Sequence, residues 1–248
     1  MRRFIVPIAV FTAAVVSFLI WWNLPLLIGP YGEEMKKAGP LVSLLILMLI
    51  LQIAIVIERT LSLRKAQGKG PLPVFLNNVR KKLREGDVQG AIGECAKQRG
   101  SAANVIRAGL ERYQLMQSEH APKEKVVAET QAAIQEANGL EVPLLERNLV
   151  GLSTMASTGT MVGLLGTTVG MIRAFAALGH TGAVDATKLA IGISEALVNT
   201  AGGLAVAIIG IIMYNVFVTR VDGFSYMMDE ASYEAIQLLS SHASSAQK

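Results

Sequence analysis

The chain has a single cysteine, Cys95, and only three histidines, His120, His180 and His242. One cysteine excludes an intrachain disulfide and a thiolate metal cluster. The histidines lie far apart and none has a partner at metal-ligand spacing, so a metalloenzyme finds no support. Charge is also scarce. Charged residues make up 17% of the chain, against about 25% in ordinary soluble domains. No stretch alternates long enough to read as a strand, no glycine-rich loop follows a strand, and no Ser–His–Asp set is recognisable. Neither an enzyme nor a cofactor-binding protein is expected.

What the chain does have is apolar residues, 52% of the total, with a mean hydropathy of +0.43. They are bunched into runs at about 4–22, 40–57, 149–178 and 186–218. A spanning helix needs about 20 mainly apolar residues. The expected class is therefore an all-α, polytopic helical membrane protein whose long spanning helices extend into a cytoplasmic helical domain. The expected spans are 1–28, 40–58, 148–178 and 187–218. Residues 29–39 and 179–186 would be the outer connections, 59–147 the cytoplasmic domain and 219–248 a cytoplasmic tail. "MRR" followed by an apolar run resembles a signal peptide, but the run ends in "WWNLPLL" with no small-x-small cleavage site. A tryptophan pair there reads as an interfacial anchor of a retained helix.

The basic residues set orientation. Fifteen of the 23 Lys and Arg fall between Arg59 and Arg147, which places that stretch and both termini inside. Arg2, Arg3 and Arg220 agree; Lys36 and Lys37, balanced by Glu33 and Glu34, are mildly against. The net charge of +4 thus follows topology, and no nucleic acid is expected as partner. Within the cytoplasmic stretch, one amphipathic helix should end near Gly86. Asp87 should cap the next, which stops at Gly100, and Ser101 the one after. A turn is expected around 118–122, then a helix from Lys123 with Pro143 as a kink or join.

On the third span, Ser153, Ser157, Thr160 and Thr167 fall within roughly 80° on a helical wheel. Gly159, Gly163, Gly166 and Gly170 form an adjoining stripe with two small-xxx-small pairs, the spacing that lets helix backbones approach closely. Gly202 and Gly203 on the fourth span are expected to pack likewise. Hydroxyls in such helices can simply bond back to their own backbone, or face a wet cavity or a polar neighbour. The fourth span holds Lys188, Glu195, Asn199 and Thr200. A carboxylate at that depth faces protein or water by default, and Lys188 or Arg173 could pair with it. Lys188, Glu195 and Asn199 share a face with Gly192 and Gly202, while Thr200 lies well round the helix and should address a different neighbour. Thr167 is eleven residues before Leu178 and Thr200 thirteen after Thr187, so both lie roughly 16–20 Å from the outer turn. Two hydroxyls level in mid-membrane below one carboxylate suit a proton or cation path, but no mid-membrane group can itself hold the proton. Another chain would have to supply it.

"NLVGLSTMASTGTMVGLLGTTVGMIRAF" and "GISEALVNTAGGLAVAIIGIIMYNVFVTRVD" resemble the two signature helices of the MotA/TolQ/ExbB proton-channel family. The GLLGT block, the GI-x-EAL-x-x-T-x-x-GL block and the closing YN-x-F are most similar to its ExbB/TolQ branch. The likeness spans about residues 40–222. It implies a subunit of an energy-transducing motor in the bacterial inner membrane. Such subunits form homo-oligomeric rings, pentamers in the family, around an ExbD/TolR-like single-span partner carrying a membrane aspartate. Proton flow would be coupled to a TonB/TolA-like protein and so to outer-membrane transport or envelope work. By motif position, Thr167, Thr200 and Glu195 correspond to pore-facing residues. Ser157, Thr160 and Asn199 join them from the stripes above. Where the family usually has a proline before GLLGT, this chain has Thr160. The alternatives are a MotA-like flagellar stator subunit and a non-conducting membrane scaffold.

Overall fold

The computed structural model describes residues 2–37, 39–179 and 186–245. Among them are ten helices: α1 (Arg2–Trp22), α2 (Leu24–Ile28), α3 (Pro30–Lys37), α4 (Pro40–Gln67), α5 (Leu72–Arg84), α6 (Val88–Gln98), α7 (Ser101–Ser118), α8 (Lys123–Glu146), α9 (Leu149–Gly179) and α10 (Ala186–Ser245). No strand occurs among the described residues. Among the described residues, three helices are long and apolar enough to cross a membrane, and Thr12–Trp22 is a shorter apolar stretch. The chain divides into two compact units, Met1–Ile57 with Asn148–Val216, and Glu58–Arg147 with Phe217–Lys248.

In the first unit, α9 and α10 pack through the glycines. A Cβ on Gly170 would lie 2.8 Å from the backbone of Gly192 and Ala196, and one on Gly203 would lie 2.6 Å from the Gly159 carbonyl. Such spacing exists only because no side chain intervenes. α4 lies against the same pair, where Leu45 and Met48 meet Val206. Gln52, fully buried, donates from Nε2 to the Val206 carbonyl at 3.0 Å. Gly210 leaves the space for that amide, since a Cβ there would sit 2.3 Å from the same nitrogen. At the other end of α4, Val42 and Leu24 share a small core with Trp21 and Met35. The tryptophan pair expected as an anchor clusters with Phe18. Lys36, whose charge ran against the orientation expected, places Nζ 4.5 Å over the Trp22 ring. The connection expected at 29–39 is largely helical, as α3.

The second unit has its own core. Leu72, Phe75, Val79 and Leu83 of α5, Ile106, Leu110 and Tyr113 of α7 and Ile134 of α8 are buried together. α5 ends at Arg84, before Gly86, whose φ of +74° turns the chain. Asp87 caps α6 by accepting from the Gly90 N–H at 2.7 Å. That bond, with the Lys82 ammonium nearby, holds the Asp87 carboxyl below its ordinary range. Burial pushes the Cys95 thiol up to about 12, and its side chain is only 2% exposed. The thiolate is the reactive form, so a maleimide at pH 8 should leave Cys95 unmodified in the folded protein and label it on denaturation. Rapid labelling of the native chain would contradict this burial.

Three expectations are corrected. Ser101 does not cap α7; it is the first helical residue, the N-cap is Gly100, and no side-chain cap bond forms. Pro143 is not the join: α8 runs through it to Glu146. Its missing N–H and its ring disturb the bond to the Gly139 carbonyl, yet the helix continues, and the chain instead breaks at Asn148, in the left-handed region with φ +64°. Arg59, 1% exposed, takes up the end of α8, donating to the Leu144 and Leu145 carbonyls at 3.3 Å. Lastly, residues 219–245 continue as α10 and bury Met228, Ala231, Ala235 and Leu239 in the second unit's core. The Arg80–Glu234 ion pair and an Asn138–Asp229 bond at 2.6 Å fasten that segment to α5 and α8.

Candidate functional site: the α9–α10 helix pair

The antiparallel register of α9 and α10 can be read from their closest approaches. Gly166 lies over Asn199, whose Cβ a substituent on that glycine would meet at 2.3 Å, and Gly163 faces the backbone of Asn199, Thr200 and Gly203. Thr167 therefore lies two to three residues' rise, about 3–4.5 Å, from the level of Thr200, within one helical turn. The Thr167 hydroxyl donates to the Leu164 carbonyl at 2.6 Å. That of Thr200 donates to its own Ala196 carbonyl at 3.2 Å and reaches the Gly163 carbonyl of α9 at 3.5 Å. Thr160 and Ser157 bond back one turn, to Ala156 at 3.4 Å and Ser153 at 3.1 Å. Both pathway threonines are half-buried, as is Thr160, while Ser157 is exposed. Each hydroxyl spends its proton on a backbone carbonyl and keeps its lone pairs for an outside donor.

Two expectations fare differently here. Thr200 addresses α9, not a different neighbour from Asn199. The glycines bring the backbones so close that a wide arc of α10 touches α9. Asn199, expected to line the path, is 0% exposed and packed over Gly166, donating to the Glu195 carbonyl at 3.0 Å. The six packing glycines divide as well: Gly159, Gly163, Gly166, Gly170 and Gly203 lie in the α9–α10 seam, whereas Gly202 faces Leu45 of α4.

Glu195 is 4% exposed. Its Oε1 accepts from Arg173 Nη1 at 2.5 Å, joining the two helices. Gly39, with φ +85°, seals this pair at the head of α4; a Cβ there would lie 2.9 Å from the same oxygen. Removing one partner of a buried pair strands the other charge, and the arginine is the more exposed member. Arg173→Ala should therefore lower the unfolding temperature of the purified chain more than Glu195→Gln, which keeps a hydrogen-bonding side chain; the reverse order would show that Glu195 is not held by Arg173. Gln52 and Arg59 were missed as buried polar residues, although Gln52 is the lone amide in "LLILMLILQIAIVI". No group of His, Cys, Asp and Glu that could hold a metal occurs among the described residues.

Residues 97–230, which take in the end of α6, all of α7 to α9 and α10 as far as Glu230, match the sequence profile of the MotA/TolQ/ExbB proton channel family. This chain belongs to that family. Within it, relatives of the ExbB/TolQ branch are similar. A putative biopolymer transport protein ExbB-like 3 of Synechocystis sp. is 42% identical over 91 residues, 36% of this chain and 43% of the relative. The biopolymer transport protein ExbB of Aquifex aeolicus is 34% identical over 117 residues, 47% of this chain and 72% of that protein. The Tol-Pal system protein TolQ of Pseudomonas aeruginosa is 35% identical over 117 residues, 47% of this chain and 51% of that protein. The match thus spans about half or less of the Synechocystis and Pseudomonas relatives.

Proposed function

We propose that this chain is the proton-channel subunit of an energy-transducing complex of the Ton/Tol type in the bacterial inner membrane. Copies of the chain form a ring, a pentamer in the resemblance set out above. The ring surrounds an ExbD/TolR-like single-span protein whose membrane aspartate carries the proton, and motion passes to a TonB/TolA-like protein. Both termini face the cytoplasm, and the first apolar segment is a fourth span. The observation that carries this reading is the pair Thr167 and Thr200, on facing helices and within one helical turn of each other in depth. In the runs 40–57, 149–178 and 186–218 the only charged residues are Arg173, Lys188 and Glu195, all towards the outer end. The path has relays and no proton holder, which is what a subunit completed in trans would have. Its hydroxyls present free lone pairs, suited to a protonated carboxyl as donor. When that carboxyl ionises, a threonine must swing its O–H outward, giving up a back-bond worth only about 1 kcal/mol.

One observation favours a second reading, a scaffold. Every hydroxyl named here bonds to backbone, as packing residues do. Co-purification from native membranes in mild detergent, with mass spectrometry, separates the two. The proposal expects a small single-span protein with one membrane aspartate in stoichiometric company. A homo-oligomer alone would favour the scaffold.

A further inference from the structure

The second unit holds a groove of about 610 Å³ at the start of α7, lined by Lys65 of α4, Arg99 and Ser101 at the α6–α7 turn, Asn104 and Arg107 of α7, and Glu141 of α8. The α7 N-terminus opens into it without a cap. The first turn of a helix leaves its N–H groups without intrahelical partners. Here the first helical bond is from the Asn104 N–H to Gly100, and the N-cap glycine has no side chain to offer. Ala102 and Ala103 are 2% and 1% exposed and do not line the groove, whereas Ser101 does. Ser101 is itself 5% exposed and lines the groove, and its hydroxyl has no hydrogen-bond partner among the described residues. That hydroxyl opens to the groove, beside the uncapped end of the helix.

The charge around these donors is mainly positive. Lys65 and Arg99 line the groove and enter no ion pair among the described residues, while Arg107 is shared with Glu111 at 2.6 Å. The only carboxylate lining the groove, Glu141, accepts from Asn104 Nδ2 at 2.8 Å. Gly100 presses this turn onto the end of α4, where a Cβ would meet the Ala66 carbonyl at 2.5 Å, so the donors are fixed by packing.

We propose that this groove binds a phosphate group: the Ser101 N–H and hydroxyl at the open N-terminus of α7 hold its oxygens, and Lys65 and Arg99 neutralise it. Converging amides at a helix N-terminus with flanking cations are the recognised chemistry of phosphate sites. A tetrahedral group with three free oxygens uses this donor set more fully than a planar carboxylate with two. The groove has room for the rest of an ester. The phosphate comes either from a small soluble ester or from the headgroup of an anionic lipid. The site is separate from the α9–α10 pair and stands whether or not that pair conducts.

The test uses the full chain in phosphatidylcholine nanodiscs, titrated with inorganic phosphate in a phosphate-free buffer. The expected result is saturable uptake of one phosphate per chain. Lys65→Gln with Arg99→Gln, and separately Ser101→Ala, should weaken it by about tenfold or more. Arg84→Gln, an exposed arginine outside the groove, should leave it unchanged. Ser101→Ala removes one oxygen and keeps the fold, which circular dichroism verifies. A second arm replaces part of the lipid with phosphatidic acid. If the natural source is a headgroup, the chain retains that lipid through purification in place of inorganic phosphate, and the double variant does not. No saturable binding in either arm would overturn the proposal. Equal weakening by Arg84→Gln, or acetate binding as tightly as phosphate, would overturn it too.

Discussion

Thr167→Val and Thr200→Val should each reduce partner-dependent proton flux in proteoliposomes to the leak of empty vesicles, while ring assembly survives. Valine matches threonine in volume and branching, so the α9–α10 seam is undisturbed. The lost back-bonds, Thr167 to Leu164 and Thr200 to Ala196, are worth only about 1 kcal/mol each, too little to unfold the pair. What valine cannot do is accept or pass a proton. Thr→Ser at either position keeps the hydroxyl and should retain flux. Undiminished flux in both valine variants would remove these residues from the path.

The second large effect concerns the seam itself. Gly203→Ala places a Cβ 2.6 Å from the Gly159 carbonyl oxygen and 2.7 Å from Gly163 Cα. Both are backbone atoms of α9 and cannot rotate away, so the helices must part. Overpacking against movable side chains costs about 1–3 kcal/mol; against backbone the cost lies at or above the top of that range. The exposed Gly139 of α8 has nothing within 4 Å of an added Cβ. There the same substitution should stabilise by up to about 1 kcal/mol through helix propensity. Thermal unfolding of the two variants in one detergent should therefore shift in opposite directions. A Gly203→Ala protein as stable as the parent would mean that α9 and α10 are not in close contact.

Much of this seam was legible in the chain. Glycines four apart on an apolar helix announce close packing, and Gly159, Gly163, Gly166 and Gly170 are where the spacing puts a contact face. Counting residues from the outer turn also brought Thr167 and Thr200 to within a helical turn of one depth, while the helical wheel gave their directions. The wheel misjudged the neighbour of Thr200, because it gives angle and not interhelical distance. At glycine-set separation one helix covers a wider arc of the other. Residues 219–245 were read as a tail because hydropathy falls after Val218, although Met228, Ala231, Ala235 and Leu239 keep a helical spacing. Pro143 drew the expected join away from Asn148. Proline is the louder signal in a sequence, yet the left-handed residue ends the helix. Gln52 and Arg59 were masked by their surroundings, one inside an apolar run and the other among basic flanking residues that set topology.

The central claim is that this chain provides the relays and another provides the proton carrier. Proton uptake into proteoliposomes under an imposed membrane potential tests it most directly, comparing the chain alone, the chain with its co-purified single-span partner, and the complex with the partner's membrane aspartate changed to asparagine. The account predicts uptake only in the second. Uptake by the chain alone would show that its own residues complete the path, and no uptake in any of the three would leave the hydroxyls and glycines as packing devices.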